Sequence, residues 1–176
     1  DIFLEIDYLT GHKPSQLALD KVVEAFRNAP VSNLDGTSGV NLHILVDEDV
    51  GFHYEEILLY PEIDSETGEI IPGPIPSFDE IKLANFGTAD ERDDPNAEEI
   101  LTGKRQFYHY MLSTHSLVES PTTSGYGEKG GNDIVLSMGA FTEHVGSVEE
   151  QASTIMHELG HNLNLDHGGK IGREHV

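Results

Sequence analysis

Three histidines near the end of the printed sequence restrict the fold more than any other feature. His157 and His161 lie four residues apart within HELGH, and His167 follows six residues later. Residues four apart on an α-helix are separated by about 40° around the axis and some 6 Å along it, so both imidazoles face one point. On an uninterrupted helix His167 would lie about 15 Å along the axis from His157. The three rings therefore meet only if the helix ends after His161 and the chain turns back.

Asn164 marks the position where this helix is expected to end. It follows His161 by three residues, and asparagine adopts the left-handed backbone conformation that ends helices more readily than other non-glycine residues. Gly168 and Gly169 come directly after His167 and allow the backbone to turn freely there. We therefore predict a helix-ending turn at Asn164 that returns His167 to the first two histidines.

The residue types at these positions predict a catalytic zinc site. Three histidines and a fourth position open to water form the ligand set of catalytic rather than structural zinc. Glu158 points about 100° around the helix from His157, so it is placed to reach a water molecule at the metal rather than the metal itself. The sequence predicts zinc on His157, His161 and His167, with Glu158 as general base and acid. The other histidines lack ligand spacing and are expected on the surface or in the core: His12, His43, His53, His109, His115, His144 and His175.

Composition excludes several classes of protein. The chain has no cysteine, which excludes disulfides and thiolate zinc sites. Lys and Arg total 10 against 32 Asp and Glu, for a formal charge of -22, and such a surface repels nucleic acid. The apolar runs have the length of strands, well short of the roughly 20 residues that span a bilayer. We expect no nucleic-acid partner and no membrane span.

The acidity itself leaves three explanations open: a solvated acidic surface, bound calcium, or adaptation to a salty medium. Two acidic clusters are candidates for calcium ligands, and neither has the spacing of an EF-hand. The clusters are Asp47, Glu48 and Asp49, and Asp64, Glu66 and Glu69. A structural calcium ion, bound in addition to the catalytic zinc, is therefore one of the explanations that remain open.

Hydrophobic periodicity predicts an α/β or α+β fold in a single domain, 1–176. Strands are predicted over 2–9, 40–46, 56–60, 107–117 and 133–139, and helices between Ser15 and Pro30, over 77–86 and over 147–165. Ser77 is the predicted cap of the second helix, and Ser147 with Glu150 forms a capping box for the third. The acidic stretch 89–99 is predicted to be a surface loop.

The segment HELGHNLNLDH resembles the long zinc signature HExxHxxGxxH of the metzincin metallopeptidases, with Asn164 in place of the usual glycine. The resemblance implies a zinc-dependent endopeptidase. It also implies a twisted mixed sheet with an antiparallel edge strand, a backing helix and an active-site helix. An upper subdomain would cover about 1–164 and a very short C-terminal part 165–176. By this analogy TSGYGE (123–128) is the edge strand, and extended substrate would pair with Ser124, Gly125, Tyr126 and Gly127.

One metzincin element has no counterpart in the printed sequence. The family places a methionine-containing turn beneath the zinc, downstream of the third histidine, and the same stretch walls the main specificity pocket. Only nine residues follow His167, and none is methionine. The resemblance therefore predicts either that this region belongs to a longer chain or was removed, or that the protein is a divergent minimal form.

Three functions remain open at the level of sequence. The first is an endopeptidase acting on peptides or proteins. The second is a non-catalytic module, with bound zinc or calcium, that binds peptides or a partner. The third is another metallohydrolase, such as an amidase or deacetylase on small substrates. We expect the protein to act outside the cell or at the cell envelope, although no signal peptide is visible in the sequence.

Overall fold

The alternating strand IFLEIDY at the start of the chain lies inside a five-stranded sheet. A computed structural model describes residues 1–51 and 54–167. The strands are β1 Ile2–Tyr8, β2 Leu42–Asp49, β3 Glu56–Ile57, β4 Tyr108–Thr114, β5 Ser116–Leu117, β6 Gly125–Gly127 and β7 Asp133–Ser137. The main sheet has the order β2-β1-β4-β7-β6, and only its edge strand β6 is antiparallel. The predicted mixed sheet with an antiparallel edge strand is confirmed.

Helices cover both faces of the sheet. They are α1 Gln16–Arg27, α2 Phe78–Asn85, α3 Ala89–Asp93, α4 Ala97–Lys104 and α5 Val148–Asn162. The first core cluster joins α1 and α5 to one face of the sheet, through residues such as Val22, Leu136 and Ile155. A second cluster on the opposite face includes Phe78 of α2 and Val135 of β7. The predicted backing helix and C-terminal helix, α1 and α5, therefore share one face of the sheet.

Short-range capping signals identify where helices begin. The predicted capping box of α5 is present, since the Ser147 side chain accepts from the Glu150 N–H and the Glu150 carboxylate accepts from the Ser147 N–H. The predicted cap of α2, Ser77, is also the N-cap in the structure.

The prediction of a surface loop over 89–99 is wrong, because this stretch contains α3 and the first turn of α4. Thr88 and Glu91 form a third capping box that begins α3. The T-x-x-E pattern of this capping box was present in the sequence. The segment that follows it is acidic and has few apolar residues, so it lacks the apolar periodicity that would indicate a helix.

Two predicted strands differ in extent from the prediction. The aromatic stretch 107–117 divides into β4 and β5, with His115 between them. The predicted strand 56–60 shortens to β3, which pairs in parallel with β5 in a separate two-stranded sheet. Of the predicted C-terminal part, 165–176, the residues that follow His167 lie outside the described residues. Within the described ranges, no helix combines the length and apolar character needed to cross a membrane.

Three carboxylates of the two acidic clusters considered for calcium have protein partners. Asp49 accepts hydrogen bonds from the Thr10 hydroxyl and the Gly51 N–H. Asp64 accepts from two N–H groups of its own turn, and Glu48 pairs with Arg92 at 2.5 Å.

A buried ion network connects the sheet to α3 and α4. Glu5 of β1 is fully buried, and its carboxylate lies 2.5 Å from Nζ of Lys104, which also contacts Glu91 at 2.6 Å. Burial raises the pKa of Glu5, while the hydrogen bond from Lys104 acts to lower it. Because both partners are desolvated, removing one leaves a buried charge without compensation.

Substituting Lys104→Met is expected to lower the free energy of unfolding by about 3–5 kcal/mol, because it leaves Glu5 buried without its cation. Lys21 provides a matched control, since it pairs with Glu149 at 2.6 Å but both side chains are exposed. Lys21→Met is expected to cost less than about 1 kcal/mol. Urea denaturation of the three proteins measures both values, and equal losses would contradict the assigned role of the buried network.

Candidate metal centre

Helix α5 presents two of the predicted ligands from one side. His157 and His161 are one turn apart near its C-terminal end, and their Nε2 atoms lie 3.2 Å apart. The rings are nearly perpendicular, with centroids separated by 4.7 Å. Both imidazoles therefore direct Nε2 at the same point, as the four-residue spacing requires.

The chain reverses immediately after α5. Asn164 has a φ of 67°, in the left-handed region. Its N–H donates to the His161 carbonyl at 2.8 Å, and the Leu165 N–H donates to the Gly160 carbonyl at 2.9 Å. These two bonds form a Schellman motif, which satisfies carbonyls that the helix end would otherwise leave unpaired. The turn brings His167 back beside the helix.

His167 completes a triangle of ring nitrogens. Its Nε2 lies 2.8 Å from that of His157 and 2.9 Å from that of His161. The three ligand atoms thus form one of two groups of potential metal ligands within the described residues. The other group is formed by carboxylates of Glu5, Asp7 and Asp47.

The three nitrogens suit a single zinc ion. Tetrahedral coordination with Zn–N bonds of about 2.0–2.1 Å separates ligand nitrogens by roughly 3.3 Å, close to the observed spacing. Nδ1 of His161 lies 2.8 Å from the Leu165 carbonyl. Because a carbonyl only accepts, this Nδ1 carries the ring proton and Nε2 keeps its lone pair. Burial lowers the pKa of His157, and the nearby His161 and His167 lower it further, which favours the neutral, ligating form.

The loop after β6 holds the segment that carries the third histidine. Lys129 donates to the carboxylate of Asp166 at 2.6 Å, next to His167, and this contact lowers the pKa of Asp166. The Gly130 N–H donates to the His161 carbonyl at 2.9 Å. The same loop therefore contacts both the end of α5 and the returning chain.

Glu158 lies between the histidines and the edge strand. Its side chain is buried, with an exposed fraction of 6% for the residue. Burial raises the pKa of Glu158 from its ordinary value, and His161 acts in the opposite direction. A carboxylate with a raised pKa is suited to accept a proton near neutral pH.

Two glycines allow β6 to lie directly against α5. A Cβ added at Gly125 would lie 2.9 Å from Thr154 and 3.0 Å from the Glu158 side chain. A Cβ at Gly127 would lie 2.5 Å from the Glu158 carbonyl oxygen and 3.0 Å from its Cα. Any side chain at Gly127 would therefore displace the backbone that carries Glu158.

Asn162 anchors the end of α5 to the sheet. Its amide nitrogen donates to the carbonyls of Glu128 and Asp133 at 2.9 and 3.0 Å, and its oxygen lies 2.9 Å from Nδ1 of His109. Sequence reasoning missed this residue, because an asparagine within a zinc motif carries no sign of its distant partners. The sequence also contained no signal for the Lys129–Asp166 contact.

An open cleft of about 470 Å³ joins these parts. Its walls include His157, Glu158, His161 and His167 on one side and residues 123–127 on the other. The predicted edge-strand residues Ser124, Gly125, Tyr126 and Gly127 therefore all border the cleft that holds the three histidines.

The remaining described histidines lie outside this cleft. His12, His115 and His144 form a separate group, with ring centroids 5.2 Å apart for the first two and 5.8 Å for the last two. His43 stacks on Phe3 at 4.8 Å, and His109 contacts Asn162. His53 and His175 fall outside the described residues.

Comparisons with known proteins do not assign a family. No family model matches the sequence, and no curated protein matches it. Among solved structures, the fold is similar to that of a zinc-dependent peptidase from Methanocorpusculum labreanum. The two chains are 13% identical, with 95% of this chain and 84% of that chain covered and a TM-score of 0.49. Because the two proteins are this dissimilar, any functional assignment has to be argued from the side chains that line the cleft.

Gly127→Ala is expected to lower the free energy of unfolding by about 1–3 kcal/mol, because the added methyl overlaps the backbone of Glu158. Gly103 in α4 is the matched control, since no atom lies within 4 Å of an added Cβ there. Gly103→Ala is expected to stabilise the protein by up to about 1 kcal/mol. Chemical denaturation distinguishes the two, and a neutral Gly127→Ala would show that β6 and α5 are not held in contact.

Proposed function

We propose that this protein is a zinc-dependent endopeptidase of metzincin type, with zinc on His157, His161 and His167. The observation that carries the proposal is the convergence of three imidazole Nε2 atoms within 3.2 Å of one another beside the buried Glu158 carboxylate. With all three Nε2 atoms unprotonated, their lone pairs repel one another unless a cation lies between them. The reversal at Asn164 supports the proposal, because asparagine there adopts the backbone conformation of the family's usual glycine.

The substrate would bind as an additional strand along β6. Ser124 and Glu128 bond to β7, through the Ser137 N–H to the Ser124 carbonyl at 2.8 Å and the Glu128 N–H to the Asp133 carbonyl at 2.9 Å. Because hydrogen-bonding direction alternates along an antiparallel strand, the backbone groups of Gly125 and Gly127 point to the outer edge. An extended peptide can pair with them and cross the cleft in front of the histidines.

Glu158 would move the proton during hydrolysis. Its carboxylate accepts a proton from the water that attacks the scissile carbonyl and returns it to the nitrogen of the leaving amine. The chemistry that zinc supplies when bound is the positive charge that polarises the carbonyl and acidifies the water. His157, His161 and His167 would hold that charge in place, while β6 would orient the peptide so that its scissile carbonyl carbon lies beside the water that Glu158 deprotonates.

The turn at Asn164 offers a test of the metal site that does not depend on turnover. Asn164→Gly is expected to retain zinc affinity, since glycine adopts positive φ without strain. Asn164→Val is expected to weaken zinc binding at least about tenfold, because a β-branched residue opposes positive φ and displaces His167. Competition with a chromophoric chelator measures both. Equal zinc affinities in the two variants would show that His167 is not a zinc ligand.

Glu158→Gln tests the catalytic role directly. We expect zinc content to be unchanged and cleavage of an unfolded protein to fall by a factor of about 10² to 10⁴, because the amide cannot accept the proton. Glu149→Gln is the matched control on the same helix, since its side chain is 76% exposed, and it should cleave normally. If zinc is bound but neither the unsubstituted protein nor the control cleaves any peptide, the non-catalytic binding module is the correct alternative.

A further inference from the structure

The two faces of β6 carry different side chains, and this difference affects which substrate side chains the strand can accommodate. Gly125 and Gly127 face α5, so the Tyr126 side chain between them points to the opposite face of the sheet. Tyr126 packs there against the core cluster that includes Phe78 and Val135. A peptide paired with β6 alternates in the same way, so every second side chain points away from the histidines and towards this second face.

A separate cavity lies on that second face. Its volume is about 190 Å³, and Tyr126 lines both this cavity and the histidine cleft. Phe78, Val135 and Leu59 form apolar walls. Tyr60 and Tyr126 meet at its border, with hydroxyls 2.8 Å apart and rings perpendicular at a centroid distance of 6.4 Å. The cavity therefore combines an apolar interior with two tyrosine rings at the position where a substrate side chain would arrive.

The cavity also carries negative charge. Three carboxylates line it, those of Asp79, Glu128 and Asp133. Asp133 is paired with Lys82, and the Glu128 carboxylate accepts from the Asn132 N–H at 3.4 Å. Asp79 and Glu128 are both exposed, so their charges are accessible from solvent at the cavity. An aliphatic stem with a terminal cation matches this combination, because the stem contacts apolar walls while the cation meets carboxylates and tyrosine faces.

We propose that this cavity is a specificity subsite for a lysine or arginine side chain of an extended peptide bound along β6. The inference rests on the proposed endopeptidase function for the peptide's position, and it adds the substrate class, which is polypeptides with a basic residue near the cleaved bond. The subsite lies on the face of the sheet opposite to α5, so it selects substrates independently of the histidine ligands.

Peptide binding tests the subsite without requiring turnover. Fluorescein-labelled octapeptides carry lysine at each position in turn, and a second series carries norleucine, which has an uncharged stem of similar length. Binding to the zinc-loaded protein with Glu158→Gln is measured by fluorescence anisotropy. At one position or more, the lysine peptide is expected to bind on the order of tenfold more tightly than its norleucine counterpart.

Two double variants, each added to Glu158→Gln, separate the subsite from the general acidity of the surface. Asp79→Asn with Glu128→Gln is expected to bring the lysine-to-norleucine ratio close to unity. Asp20→Asn with Glu24→Gln removes the same charge from exposed positions on α1 and should preserve the ratio. The subsite is refuted if lysine is favoured at no position, if the preference survives in the first variant, or if both variants lose it equally.

Cleavage of the same peptides by the unsubstituted zinc-loaded protein distinguishes this inference from the proposed function. Cleavage without a lysine preference in binding would overturn the subsite and leave the endopeptidase standing. A lysine preference that depends on Asp79 and Glu128, without cleavage, would support the subsite and overturn the endopeptidase.

Discussion

The contact between the edge strand β6 and helix α5 determines where every part of the cleft lies. It exists because Gly125 and Gly127 present no side chain to the helix, so the strand approaches to within van der Waals distance of Glu158. Asn162 fixes the same contact through two hydrogen bonds to the sheet. The helix then directs His157 and His161 into the cleft, and the edge of the strand is left open beside them. Peptide binding and proton transfer would therefore both depend on the contact between β6 and α5.

Local signals in the sequence predicted much of the arrangement. The spacing of His157, His161 and His167 required a helix followed by a reversal, and both are set by backbone geometry within a few residues. The capping box at Ser147 likewise depends on a pair three residues apart. The antiparallel edge strand was predicted only from the resemblance to metzincins, because the short GYG segment has little strand character of its own.

Features that depend on distant partners were not predictable. The salt bridge between Glu5 and Lys104 joins residues about a hundred positions apart, and the pairing of Tyr60 with Tyr126 spans 66 positions. Nothing in a single sequence identifies such pairs. The helices within 89–99 were missed for a different reason, because their polar composition conceals them even though a capping box begins the first. Strong local periodicity was informative, whereas weakly amphipathic segments were not.

The central claim is that three imidazoles bind one zinc ion, and X-ray absorption spectroscopy at the zinc edge tests it most directly. The purified protein would be loaded with one equivalent of zinc and freed of excess by dialysis. We predict one retained zinc, bound by three histidine nitrogens at about 2.0–2.1 Å and by one further nitrogen or oxygen. A zinc shell made mainly of carboxylate oxygens, or loss of the metal on dialysis, would contradict it.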